Sequence, residues 1–143
     1  MIGFTGTQKG LTKNQEKNLR EFLSLLREKY SDFHHGDCIG ADQEAHSLAK
    51  KLSYNIILHP PTNDSKRAFC NAHQVMEARS YMERNLKIVE SCEILLATPK
   101  GMSEEIRSGT WSTVRKARKL GKKIVIFFPN GDIKRDRLGF GHN

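Results

Sequence analysis

Hydrophobic positions along the chain fall into short apolar runs that alternate with stretches of helical spacing. Met1 to Thr5 predicts a short buried strand running into the glycine loop Gly6-Thr7-Gln8-Lys9-Gly10. Thr12 with Gln15 has the spacing of a capping box, and Leu19, Phe22, Leu23, Leu26 and Tyr30 follow on one helical face. A weaker strand, Asp32 to His35, leads through Gly36-Asp37-Cys38-Ile39-Gly40 into a second helix marked by Ala41, Ala45, Leu48, Ala49 and Leu52. Asn55 to His59 reads as a third strand, stopped by Pro60-Pro61 and followed by an irregular polar connection through Phe69. Val75, Ala78, Met82, Leu86 and Val89 predict one side of a helix running to about Ser91, and Ile94 to Thr98 a fourth strand. After the loop Pro99 to Gly109, Thr110 to Leu120 predicts the last helix, ended by Gly121, and Lys123 to Phe128 the fifth strand. Pro129-Asn130-Gly131 turns the chain, and the last dozen residues read as loosely ordered.

Strands that alternate with helices imply parallel pairing through right-handed crossovers. The expected fold is α/β: a single Rossmann-like three-layer domain over residues 1–129 with a mainly parallel five-stranded sheet, and 130–143 as a C-terminal tail. With strand order 3-2-1-4-5 the switch point lies between strands one and four, and a ligand belongs beyond their carboxyl ends. Three polar glycine loops then converge there: Thr5 to Gly10, Gly36 to Asp42 and Thr98 to Trp111.

Composition narrows the class. At 143 residues, 37% hydrophobic and 28% charged, the chain fits one globular domain and neither a disordered nor a collagen-like polymer. Apolar runs such as Ile124 to Phe128 fall far short of the roughly 20 residues of a membrane helix. The start Met-Ile-Gly-Phe-Thr-Gly-Thr does not read as a signal peptide, so a cytoplasmic location is expected. Cys38, Cys70 and Cys92 are too scattered for a disulfide framework and give no complete zinc pattern, so neither metal nor cofactor is expected. The formal net charge of +8 owes much to Arg115, Lys116, Arg118, Lys119, Lys122 and Lys123. A solvated helix end explains such a patch more simply than nucleic acid, for which aromatic stacking surface is scarce; weak, salt-sensitive association is the most it predicts.

The loops carry the candidate chemistry. Ser108-Gly109-Thr110 combines hydroxyls, an open backbone and a helix N-terminus, and with Arg107 before it suits a phosphate. Gly3, Gly6 and Gly10 do not spell the dinucleotide fingerprint, and no Gly-Lys-Ser/Thr closes a Walker loop; Thr5, Gly6, Thr7 and Gln8 remain able to contact a phosphate or base, or simply to make a tight turn. Asp37 and Asp42 offer carboxylates to ribose hydroxyls, with a local cap as the competing role of Asp37. Trp111 sits in the first turn of the last helix, where it either stacks on a base or joins the core, and Arg79 and Arg84 have the length to reach the crevice.

Gly3-Phe4-Thr5-Gly6-Thr7, His35-Gly36-Asp37 with Gly40-Ala41-Asp42, Arg84-Asn85, Ala97-Thr98-Pro99 and Arg107-Ser108-Gly109-Thr110-Trp111 together resemble the SLOG superfamily over nearly the whole chain. That superfamily includes the lonely-guy phosphoribohydrolases, molybdenum-cofactor carrier-like proteins and the DNA-processing protein A fold. The resemblance implies binding of a nucleotide-derived small molecule, at Thr5, Gly6, Thr7, Gln8, Gly36, Asp37, Asp42, Arg84, Asn85, Thr98, Arg107, Ser108, Gly109, Thr110 and Trp111. Gly109-Thr110 and Arg84 match the lonely-guy pattern, whereas Asn85 replaces its lysine and Thr113 stands at its glutamate, which argues against hydrolysis. If the chain is an enzyme, it is an N-glycosidic hydrolase with Glu104 or Glu105 as the displaced carboxylate and Arg84 on the phosphate. A binder without turnover suits sensing or sequestration of a signal, for instance by a phage counter-defence protein. A homodimer or higher homo-oligomer is expected, with the Val75 to Val89 helix at the interface.

Overall fold

The computed structural model describes residues 1–136. Its strands are β1 (Ile2–Gly6), β2 (Asp32–His35), β3 (Asn55–Leu58), β4 (Gln74–Val75), β5 (Ile94–Thr98), β6 (Lys123–Phe127) and β7 (Ile133–Asp136). The helices are α1 (Lys13–Leu26), α2 (Ala41–Lys51), α3 (Tyr81–Ser91) and α4 (Gly109–Lys119). One sheet runs in the order β4-β3-β2-β1-β5-β6-β7, parallel throughout except for antiparallel β7. Its middle, β3-β2-β1-β5-β6, is the expected order; the sheet has seven strands, not five.

Both added strands are edges with little pattern to read. β4 has two residues, and Val75 pairs with Leu58 instead of starting a helix; α3 begins only at Tyr81, where the Ser80 side chain accepts from Glu83 N. β7 is mostly exposed and charged, yet Val125, Ile126 and Phe127 pair with Arg135, Lys134 and Ile133. Residues 133–136 therefore belong to the sheet, whereas the rest of the expected loose C-terminal stretch, 137–143, lies outside the described residues.

Strand alternation sorts side chains onto two cores. Phe4, Phe33 and Val125 face α1 and α2, packing with Leu19, Leu23, Ala45 and Tyr54. Leu95, Ala97, Ile124 and Ile126 face α3 and α4, packing with Ile88, Val89, Trp111 and Val114. The capping box at Thr12 and Gln15 forms as expected. Gln15 does more: its buried amide donates to the carbonyls of Pro99 at 2.8 Å and Phe127 at 2.9 Å, tying α1 to the carboxyl ends of β5 and β6.

Candidate ligand-binding cleft

Beyond the carboxyl ends of β1, β2 and β5, where the crossovers diverge, lies a cleft of about 490 Å³. Backbone bonds stitch its loops together. Thr7 N donates to Thr98 O at 3.1 Å, and Ala41 N to Thr7 O at 2.9 Å. Gly40 sits at φ 88°, with its missing Cβ directed at the Gln8 backbone, so only glycine lets the first loop pass so close to the N-terminus of α2.

Of the residues singled out from sequence, Thr5, Gly6, Thr7, Gln8, Gly36, Asp42, Arg84, Asn85, Glu105, Arg107, Ser108, Gly109 and Thr110 line this cleft. Ser108 caps α4 by accepting from Trp111 N at 3.2 Å, and α4 has no acidic residue in its first turn. The space beside Gly109 is open. Amides and hydroxyls therefore face the cleft at the positive end of a helix dipole.

The floor joins Arg84 and Asp42. Arg84, 5% exposed, occupies the room left by Gly36 and donates to the carbonyls of Gly36 and His59, to Asn85 Oδ1 at 2.7 Å and to Cys38 Sγ at 3.6 Å. Asp42 Oδ2 accepts from Cys38 N at 3.1 Å, whereas its buried Oδ1 receives no hydrogen bond from the described residues. Burial pushes the Asp42 carboxyl up to about 6, against the pull of Arg84. Burial, and then Asp42, also raise the Cys38 thiol.

Four expected site residues point elsewhere. Asp37 is fully buried with φ 57°; its carboxylate accepts from Arg67 Nε at 2.6 Å and Cys70 N at 2.9 Å, and its carbonyl from Ala68 N at 2.8 Å. It anchors the excursion after β3 and does not line the cleft. Trp111 is buried in the second core near Phe128, so core packing prevails over base stacking. The Thr98 side chain is buried beneath Gly6. Glu104 turns outward to Arg115 at 2.9 Å and Arg118 at 3.0 Å. Those ion pairs also engage two of the six residues of the basic patch: Arg115 ties α4 to the carbonyls of Glu105 and Ile106, and Arg118 reaches Asp136 at 2.6 Å. Thr113 is buried and donates back to Gly109 O at 2.9 Å. Arg79 bonds Glu77 at 3.4 Å and is not among the lining residues.

Sequence reasoning missed Lys9, Cys38, Tyr81, Ile88 and Lys100, which also line the cleft. Tyr81, Arg84, Asn85 and Ile88 form one helical stripe, so extending the Arg84-Asn85 motif by helical spacing finds two of them.

Behind the cleft, the donor atoms of His35, His46 and Cys70 lie within 4.8 Å of one another. The hydrogen bonding does not suit a cation. Asp37 N donates to His35 Nδ1 at 2.9 Å, which leaves the ring proton on Nε2, aimed at His46 Nδ1 at 3.0 Å. A metal on that Nε2 would require Nδ1 to carry the proton, facing another donor. Burial and Asp37 also push the Cys70 thiol up to about 12, far from a thiolate.

No family model matches the chain, and no curated protein matches it in sequence. Its structure is similar to that of the molybdenum cofactor binding protein of Rippkaea orientalis, with a TM-score of 0.68 and 22% identity over 89% of this chain and 75% of the other. It is also similar to the molybdenum cofactor carrier protein of Chlamydomonas reinhardtii, with a TM-score of 0.59 and 23% identity over 87% and 74% of the two chains. These likenesses show the fold, a Rossmann-like α/β domain.

Proposed function

We propose that the cleft binds a phosphate-bearing, nucleotide-derived small molecule and retains it without turnover. The observation that carries this reading is the N-terminus of α4, where Ser108, Gly109 and Thr110 face a 490 Å³ cleft whose floor holds the buried Arg84 guanidinium. Arg107 and Lys9 add positive charge at the lining. Retention is favoured because Thr113, in place of a carboxylate, is buried in its own helix, and Glu104 is engaged by arginines outside the cleft. A hydrolase would have to work with Glu105, which pairs with Lys100 at 3.6 Å. Binding without turnover suits a sensor or a sponge for a nucleotide signal, including a phage counter-defence role.

The test is thermal unfolding with AMP, ADP-ribose, cyclic ADP-ribose and cyclic dinucleotides, followed by chromatography of the ligand. One ligand should stabilise the fold by about 3 kcal/mol at 100 times its Kd and be recovered intact. No shift with any compound overturns the binding reading, and multiple turnovers overturn retention. The molybdenum cofactor, a phosphate-bearing pterin, is the second reading favoured by the structural neighbours, and it belongs in the same panel.

The proposed assembly is a homodimer through α3, which exposes Met82 (70%) and Leu86 (37%) on the helix that supplies Tyr81, Arg84 and Asn85 to the cleft. Val75, expected on the same helical face, belongs to β4 instead.

A further inference from the structure

With Trp111 packed in the core, the ring that the cleft offers a ligand is Tyr81. Tyr81 is half-buried, whereas Phe4, the other aromatic of the lining, is fully buried. Tyr81 opens α3, and Asn85 and Ile88, which also line the cleft, follow on the same helical stripe. The Arg84 guanidinium lies over the Tyr81 ring, 5.3 Å from its centroid, and braces it at the rim.

Arg84 also fixes what Asn85 offers. Its Nε meets Asn85 Oδ1 at 2.7 Å, and because a guanidinium has no acceptor, the amide can face it only through that oxygen. Asn85 Nδ2 is thereby turned away from Arg84. No described residue accepts from that nitrogen, and it is not sealed off from solvent. Every nitrogen of Arg84 already donates, to Asn85, Gly36, His59 or Cys38, so the free donor on this wall is Asn85.

α3 and α4 lie on one face of the sheet, where Ile88 and Val89 share a core with Trp111 and Val114. α3 leads into β5 and α4 leaves it, so both helices begin at the carboxyl ends of the strands. The cleft therefore has the Ser108-Gly109-Thr110 turn and the α3 stripe on the same side of the sheet. One suits an anion. The other combines an aromatic ring, an aliphatic side chain and one oriented amide donor, which suits a flat heterocycle with an acceptor on its edge.

We propose that the α3 stripe is a heterocycle subsite: Tyr81 stacks on a planar ring and Asn85 Nδ2 donates to an acceptor on its edge, while the phosphate of the same ligand lies at the N-terminus of α4. The inference rests on the anion-binding reading above and adds that the anion carries a heterocycle, that of a nucleotide or of a pterin.

Calorimetric titration of the full chain with AMP, GMP, CMP, UMP, neopterin monophosphate and ribose 5-phosphate tests it, the last having the phosphate without the heterocycle. Wild-type protein should bind at least one of the heterocyclic compounds roughly a hundredfold more tightly than ribose 5-phosphate, the worth of a stacked ring and a hydrogen bond. Preference for a nucleotide supports a nucleotide ligand, and preference for neopterin monophosphate a pterin. Asn85→Asp keeps the acceptor for Arg84 and loses the donor; its added charge weakens every phosphate alike, so the ratio to ribose 5-phosphate is the readout, and it should fall about tenfold. Tyr81→Ala should lower the ratio about as much, and Tyr81→Phe, which keeps the ring, should restore it. A ratio unchanged by Asn85→Asp or by Tyr81→Ala overturns the role of that residue. Equal wild-type affinity for ribose 5-phosphate and every heterocyclic compound overturns the subsite and leaves the anion site standing, even where a variant does not fold. Failure of all six compounds to bind overturns both.

Discussion

Acidification should weaken this fold through its buried imidazoles, with Asp42 pulling the other way. His59 bonds His34 Nδ1 at 2.8 Å, and burial, with His34 and Arg84 nearby, lowers it from 6.5 to about 4. His34, His35 and His46 are lowered too, each chiefly by burial. An imidazole whose pKa is lower when folded takes its proton first in the unfolded chain, so stability present above 6.5 is lost as pH falls towards 4. For His59 alone that loss is about 2 kcal/mol between pH 7 and pH 5. Asp42 is raised from 3.8 to about 6, so its folded form takes the proton first and returns about 1 kcal/mol over the same interval. The histidines outweigh it. Urea unfolding at pH 7, 6 and 5 should show wild-type stability falling by at least about 1 kcal/mol. Asp42→Asn removes the compensation, so its fall should be steeper by about 1 kcal/mol, whereas His59→Gln should flatten the fall by up to about 2 kcal/mol. A wild-type stability that is constant or rises on acidification would refute the reasoning, as would parallel curves for wild type and Asp42→Asn.

Asp37→Asn strips the charge opposite Arg67 and should cost about 3 kcal/mol in chemical denaturation, with proteolysis appearing first in the segment after β3 that Asp37 anchors. Gly40→Ala combines a left-handed backbone with a collision against Gln8, and should lower Tm by several degrees and weaken ligand binding together; an unchanged Tm would contradict the packing of the first loop on α2. Gln15→Ala leaves two buried carbonyls unpaired and should cost about 2 kcal/mol, measured by urea titration. Met82→Glu should shift light scattering towards a monomer near 16.3 kDa, whereas Lys119→Glu should leave the mass unchanged; a wild-type monomer at micromolar concentration with and without ligand removes the α3 interface.

The parts of this molecule that were legible in sequence are those whose physics is periodic or local. Phe4, Leu19, Leu23 and Phe33 announce their elements because burial on one face imposes a repeat, and the Thr12 cap forms from residues three apart. β4 and β7 escape the same reading because edge strands are short or polar, and their stability comes from backbone bonds that any side chain allows. The site divides along similar lines. Topology alone delivers the three glycine loops to one crevice, which is why most residues chosen from them line it. Which side chain within a loop faces inward is set by distant partners. Arg67 and the Cys70 amide claim Asp37 from 30 and 33 residues away, and no spacing rule links those positions. Asp42, five residues further on, is among the residues that line the cleft, and its Oδ2 accepts from the nearby Cys38 amide. The two carboxylates look alike in the sequence, and only the partners that the folded chain brings to each separate the one that anchors a distant segment from the one that lines the cleft.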